Sequence, residues 1–148
     1  MMHRLEVTNP FDGSPVGEVK LSSASEVDTA LAIAEKTHKA NKKGLPKHER
    51  IAVLKNTAEI MKGRSEELAL LIASEGGKPL IDAKVEVERA IDGVETCAAE
   101  IANNAGMEIP MDLTSAGEGK IAFTTKEPIG IVVAVSAFNH PLNLIVHQ

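Results

Sequence analysis

K-E-P-I-G-I-V-V-A-V-S-A-F-N-H-P-L-N-L-I-V-H-Q, residues 126–148, decides how the rest of the chain is read. Within it, residues 129–135 are an almost unbroken apolar run rich in β-branched side chains. Such a run, with no polar alternation, predicts a strand buried on both faces, the kind found inside a parallel sheet. Pro128 and Gly130 mark its entry, and Ser136-Ala137-Phe138-Asn139-His140-Pro141 its exit. Pro141 suits the first turn of a helix, where a missing N–H loses no intrahelical bond. The unit reads as strand, short polar loop, helix start, and in open α/β sheets ligands sit beyond the carboxyl ends of strands. A doubly covered strand needs neighbouring strands and helices above and below. Only an apolar helix start, with Leu142, Leu144, Ile145 and Val146, follows it here. The expectation is therefore the N-terminal piece of a longer α/β protein.

Working back from that run, residues 107–113 and 120–125 read as two strands around the turn Thr114-Ser115-Ala116-Gly117-Glu118-Gly119. Before them lies the clearest helix. Ala83, Val87, Ala90, Ile91, Val94, Ala98, Ile101 and Ala105 recur at helical spacing, and Gly106 ends it. Another helix opens at Pro46 and buries Ile51, Leu54, Ala58 and Met61. A break or bend falls at Gly63 and Ser65, and Leu68, Leu71 and Ile72 carry the face on to Gly76-Gly77. A first helix starts at the capping box Ser23-Ala24-Ser25-Glu26 and presents Val27, Ala30, Leu31 and Ala34. At the front, residues 5–7 and 16–21 form a hairpin about the turn Asn9-Pro10-Phe11-Asp12-Gly13. The order is hairpin, three helices, hairpin, then an α/β unit.

Bulk properties exclude several classes. A net charge of −5 argues against a nucleic-acid surface. Aromatics at 2%, with no Trp or Tyr, remove the stacking platforms that single strands use. One cysteine, Cys97, allows neither an internal disulfide nor a cysteine-based metal cluster. No apolar run approaches a membrane span, and polar residues follow Met1-Met2-His3-Arg4, so a cytoplasmic protein is expected.

Few residues carry candidate chemistry. Asn139 reads either as a turn or helix-cap residue or as an oxyanion donor, a carboxamide N–H aimed at a developing negative oxygen. Cys97, beside Val94, Ala98 and Ile101, reads as a small buried hydrophobe. Glu95 and Glu100 disfavour its thiolate, so it is rejected as a nucleophile. His140 and His147 are spaced to share a helix face, but two ligands do not fix a zinc, and no metal is expected. His3, His38 and His48 read as surface residues. Glu75-Gly76-Gly77-Lys78 lacks the strand and the Ser/Thr of a phosphate loop and reads as a helix stop.

Four motifs in order carry a family resemblance. They are Thr8-Asn9-Pro10-Phe11-Asp12-Gly13 with Val16-Gly17-Glu18-Val19; Glu49-Arg50 followed by Leu54 and Ala58; Gly77-Lys78-Pro79-Leu80 with Ala83 and Glu86-Val87; and Glu127-Pro128-Ile129-Gly130-Ile131-Val132 with Phe138-Asn139-His140-Pro141-Leu142. Along its whole length the chain resembles the N-terminal part of the NAD(P)-dependent aldehyde dehydrogenase superfamily. The wording of residues 137–148 is closest to the branch of lactaldehyde dehydrogenases and relatives acting on small oxygenated or phosphorylated aldehydes.

The resemblance implies an α/β fold with three helices between a β-hairpin and a second hairpin of the oligomerisation layer. The first strand-loop-helix of a truncated Rossmann-like parallel sheet follows. Residues 107–126 would then be the oligomerisation-type hairpin and residues 127–148 the start of the cofactor-binding unit. Asn139 would help hold the oxyanion of a cysteine thiohemiacetal. Val135, Ser136, Ala137 and Phe138 would border the nicotinamide of NAD or NADP. The family loop more often reads Thr/Ser-Pro-Trp-Asn-Phe/Tyr-Pro, so Phe138 and His140 would reshape the substrate channel. The family's cysteine nucleophile, glutamate base, glycine-rich cofactor turn and a further lysine align beyond Gln148. The 148 residues alone are therefore expected to be inactive, because without the thiolate no covalent step forms. The partners expected are a small aldehyde, a homo-oligomer or a complementing C-terminal fragment. A non-catalytic assembly role is the alternative.

Overall fold

A computed structural model describes residues 4–148; His3 lies outside the described residues. The opening hairpin pairs β1 (Arg4–Thr8) with β2 (Pro15–Lys20) antiparallel, and the register shifts between Val7 and Thr8. Its turn closes as the sequence predicts. Asn9 N–H donates to Ser14 O at 2.8 Å, Asn9 Oδ1 accepts from Phe11 N–H, and Gly13 takes the left-handed conformation.

Helix α1 (Ala24–Ala40) begins at the full capping box of Ser23 and Glu26. No residue of α1 is buried, so its Val27 and Leu31 stripe faces solvent. The next expected helix is two: α2 (Lys47–Gly63) and α3 (Ser65–Gly76), divided at Arg64. Helix α4 (Leu80–Asn103) is the axis of the molecule and packs against both. It ends before Ala105, with Asn104 as its cap.

The core lies where α2, α3 and α4 meet. Ala58, Met61, Ile72, Val87, Ile91 and Val94 are buried there. Small residues let the helices approach closely: Ala69, Ala83 and Ala90 are fully buried. Cys97 is exposed, contrary to the expectation that it is buried. Val94 and Ala98 on either side of it are buried, so Cys97 lies off the face that α4 turns inward.

The second hairpin is shorter than its apolar pattern predicts. Strand β3 (Glu108–Ile109) pairs with β4 (Ala122–Phe123), each of two residues. Pro110 interrupts the donor row, and a run of turns bridges the strands.

Residues 129–135, expected to lack the neighbours of a complete core within these 148 residues, do lack them among those described. They join no sheet among the described residues, and Ile129, Val132, Val133 and Val135 are exposed. A strand borrows its hydrogen-bond partners from neighbours, and none lies beside this one. Helix α5 (Asn143–His147) follows, starting two residues after Pro141, so His140 precedes it and does not share its face with His147. Leu142 and Val146 pack on the core. A Cβ on Gly93 would meet Val146 Cγ1 at 3.0 Å, which shows how closely α5 lies on α4.

Candidate functional site

Two turns meet at the start of α4. The first is residues 76–79. Gly77 caps α3 in the left-handed conformation, φ 66°, and its N–H donates to Ala73 O. A side chain there would be strained and would strike Pro10, since a Cβ would lie 2.8 Å from Pro10 Cγ. Pro79 then opens α4. The helix stop read from the sequence is present, and it also aims Lys78 inward.

The second turn is residues 136–142. Ser136 Oγ donates to Pro141 O at 3.3 Å, and Gln148 Nε2 donates to Val135 O at 2.8 Å. Between the two turns lies a cavity of about 320 Å³, lined by Ile72, Lys78, Asp82, Phe138, Asn139 and Pro141 among others. Asn139 is exposed at its edge, and among the described residues no hydrogen bond engages its carboxamide. Phe138 and Val135 are almost bare.

Below this loop sits Glu86, 2% exposed and the one buried charged residue among those described. Its Oε1 accepts from Leu142 N–H at 3.0 Å and from Asn143 N–H at 3.2 Å. Its Oε2 accepts from the Lys78 ammonium. Lys78 Nζ also stands 3.0 Å from His140 Nδ1. Burial opposes ionisation of Glu86, but Lys78 and the backbone N–H groups of Asn143 and Leu142 outweigh it. Together they hold the carboxyl below the ordinary glutamate value.

The structure thus brings Asn139 and Phe138 to one cavity and leaves Val135, Ser136 and Ala137 as an open strip beside it. Sequence reading treated Lys78 and Glu86 only as motif members and missed the cluster they form with His140. One signal was available. Glu86 falls three residues after Ala83 and four before Ala90, so it places a carboxylate on the apolar stripe of α4. Among the described residues no cluster of three His, Cys, Asp or Glu could hold a metal, and no helix is long and apolar enough to cross a membrane.

The strip fits a nicotinamide cofactor in part. Val135 and Phe138 offer exposed apolar surface for one side of a ring. Residues 135–138 bring no charged group that would meet a pyrophosphate.

Comparison with known proteins follows this geometry. The aldehyde dehydrogenase family model matches residues 2–148. Lactaldehyde dehydrogenase of Methanocaldococcus jannaschii is 36% identical over 144 residues, covering 97% of this chain and 30% of the relative. Aldehyde dehydrogenase 21 from Physcomitrella patens, solved with the reaction product succinate, superposes with TM-score 0.92 at 34% identity. That match covers 99% of this chain and 30% of the plant chain. Glyceraldehyde-3-phosphate dehydrogenase GapN from M. jannaschii, solved with NADP, superposes with TM-score 0.88 at 35% identity, covering 99% and 30%. The chain therefore spans about 30% of the length of the relatives it matches.

Proposed function

This chain belongs to the aldehyde dehydrogenase family, and on that premise we propose that it supplies the Asn139 side of an active site for NAD(P)-dependent oxidation of a small aldehyde. The observation that carries this reading is Asn139 itself. It stands at the mouth of a cavity on a loop anchored to the helical core. Its Nδ2–H is free to donate to a carbonyl oxygen that gains negative charge when a thiolate attacks. Val135, Ser136, Ala137 and Phe138 would form the wall that holds the nicotinamide of NAD or NADP. When bound, that cofactor accepts the hydride. Small oxygenated or phosphorylated aldehydes are the substrates of choice, in keeping with the lactaldehyde and glyceraldehyde-3-phosphate enzymes it resembles. The protein works in the cytoplasm.

The 148 residues do not turn over by themselves. Their one thiol, Cys97, is exposed on α4, eleven residues beyond Glu86. At the helical rise that places it roughly 16 Å along the axis from the site. The test is an NAD(P)H absorbance assay with a panel of short aldehydes. The chain alone should be silent. Mixed with the remaining portion of the lactaldehyde dehydrogenase, it should gain turnover, and Asn139→Ala should then lower kcat roughly 10²–10³-fold. Turnover by the chain alone at the rate of an intact relative contradicts the proposal.

The exposed apolar run 129–135 favours a second reading, a non-catalytic assembly role. Here residues 107–126 act as an oligomerisation hairpin, and residues 127–148 begin a cofactor-binding unit completed by a homologue or a separately encoded C-terminal half. Binding without turnover in the same mixing experiment supports it.

A further inference from the structure

The carboxylate of Glu86 reaches the chain on either side of the first α4 turn. On one side it meets Lys78, and on the other the backbone N–H groups of Leu142 and Asn143, with His140 Nδ1 3.3 Å from its Oε2. The last three contacts fall one to four residues after Asn139. The hydrogen bonds within the loop, from Ser136 and Gln148, tie residues 135–148 only to one another. Glu86 thus makes the backbone-directed polar link between the Asn139 loop and the helical core, beside the Lys78–His140 contact and the apolar contacts of Leu142 and Val146.

We infer that Glu86 is a positioning residue: its carboxylate, charge-paired with Lys78, holds the backbone of Leu142 and Asn143 so that the Asn139 carboxamide is fixed at the cavity mouth. The chemistry requires a carboxylate. Both oxygens accept, one from two backbone N–H groups and one from an ammonium. A glutamine offers a single acceptor, so its NH₂ must confront either the backbone donors or Lys78. The volume of the buried side chain would be matched by an amide of the same shape. The functional meaning of this tether rests on the reading of Asn139 as an oxyanion donor; the tether itself does not.

Amide hydrogen exchange by NMR on the full 148-residue chain tests it without any assay of activity. In the wild type, the Leu142 and Asn143 amides should be protected. Glu86→Gln should speed their exchange roughly 10–100-fold, the loss expected for hydrogen bonds to a charged acceptor, while Val87 and Ala90 in α4 keep their rates. The double variant Glu86→Gln/Lys78→Met removes the facing ammonium and should restore part of the protection, a non-additive response that simple loss of packing does not give. Unchanged exchange at Leu142 and Asn143 in Glu86→Gln overturns the inference.

Should Glu86→Gln unfold α4, the wild-type chain decides. The Glu86 carboxyl carbon and the Leu142 and Asn143 amide shifts, with Lys78 and His140 as the other ionisable groups facing them, should titrate with one midpoint. Separate midpoints overturn the inference. If the tether holds but Asn139→Ala leaves reconstituted turnover intact, the reading of Asn139 falls and that of Glu86 stands.

Discussion

Helix α4 and the run 129–135 carry similar apolar side chains, and the chain treats them in opposite ways. In α4, Val87, Ile91 and Val94 are 1%, 8% and 5% exposed. In the run, Ile129, Val132 and Val133 are 94%, 68% and 72% exposed. A helix satisfies its own backbone and has one stripe to cover, which α2 and α3 cover. A central strand has both faces to cover and must find backbone partners on both sides. Local composition is alike, but the number of neighbours required is not. The Asn139 loop lies at the boundary, joined to the well-packed region through Glu86, Leu142 and Val146 and to the bare one through Val135.

The comparison breaks most severely at Lys78. Lys78→Met leaves the Glu86 carboxylate buried without its cation and should cost about 3–5 kcal/mol by denaturant unfolding near pH 7. The sign with pH is distinctive. In the wild type the folded carboxyl lies below its ordinary value, so its contribution is full above the ordinary carboxylate range and is lost as pH falls through the folded value. In Lys78→Met, burial dominates and raises the carboxyl, so the variant should approach wild-type stability on acidification. A deficit that grows on acidification contradicts the pairing.

Next in size is a matched pair of truncations. Ile72→Ala, in the core, should cost about 2–5 kcal/mol. Val133→Ala, in the bare run, should stay within about 0.5 kcal/mol. Equal losses would erase the difference between the regions. Gly77→Ala should follow at about 1–2 kcal/mol, from the left-handed backbone alone. Its contact with Pro10 adds to that and should loosen the opening hairpin, visible as faster exchange at Val7 and Val19.

The smallest effect is on α1, which the core does not cover. A Lys20 hydrogen bond, with Ser23 bonds behind it, holds the Glu26 carboxyl down at about 2. A depressed folded value means the capping box keeps its benefit above the ordinary glutamate value of 4.5 and loses it between there and about 2. Helicity at residues 24–28 should follow that window, weakly and less so in high salt.

Much of this was legible from residues alone. The capping box of Ser23 and Glu26, the hairpin turn at Asn9 and Gly13, the stop at Gly77 and the stripe of α4 each rest on local backbone chemistry, which a sequence displays directly. Proximity to Val94 and Ala98 predicts a buried Cys97, but sequence neighbours on a helix point in different directions, and Cys97 falls off the face that Val94 and Ala98 bury. Residues 129–135 carry the pattern of a strand suited to cover on both faces, and their exposure agrees with the expectation that these residues alone leave it without a complete core. Glu86 was visible as a misplaced carboxylate, but its partners lie 8 and 56 residues away. Only the fold brings Lys78 and Leu142 to the same atom pair.

The measurement that bears most directly on the account is residue-by-residue hydrogen exchange across the whole chain under native conditions. The account predicts strong protection through the α4 amides at Val87, Ala90 and Val94, and near-intrinsic exchange from Ile131 to Val135. Protection of Ile131 to Val135 equal to that of α4 would mean that the run finds its neighbours within these residues. That result would contradict the division between a covered helical core and an uncovered apolar run.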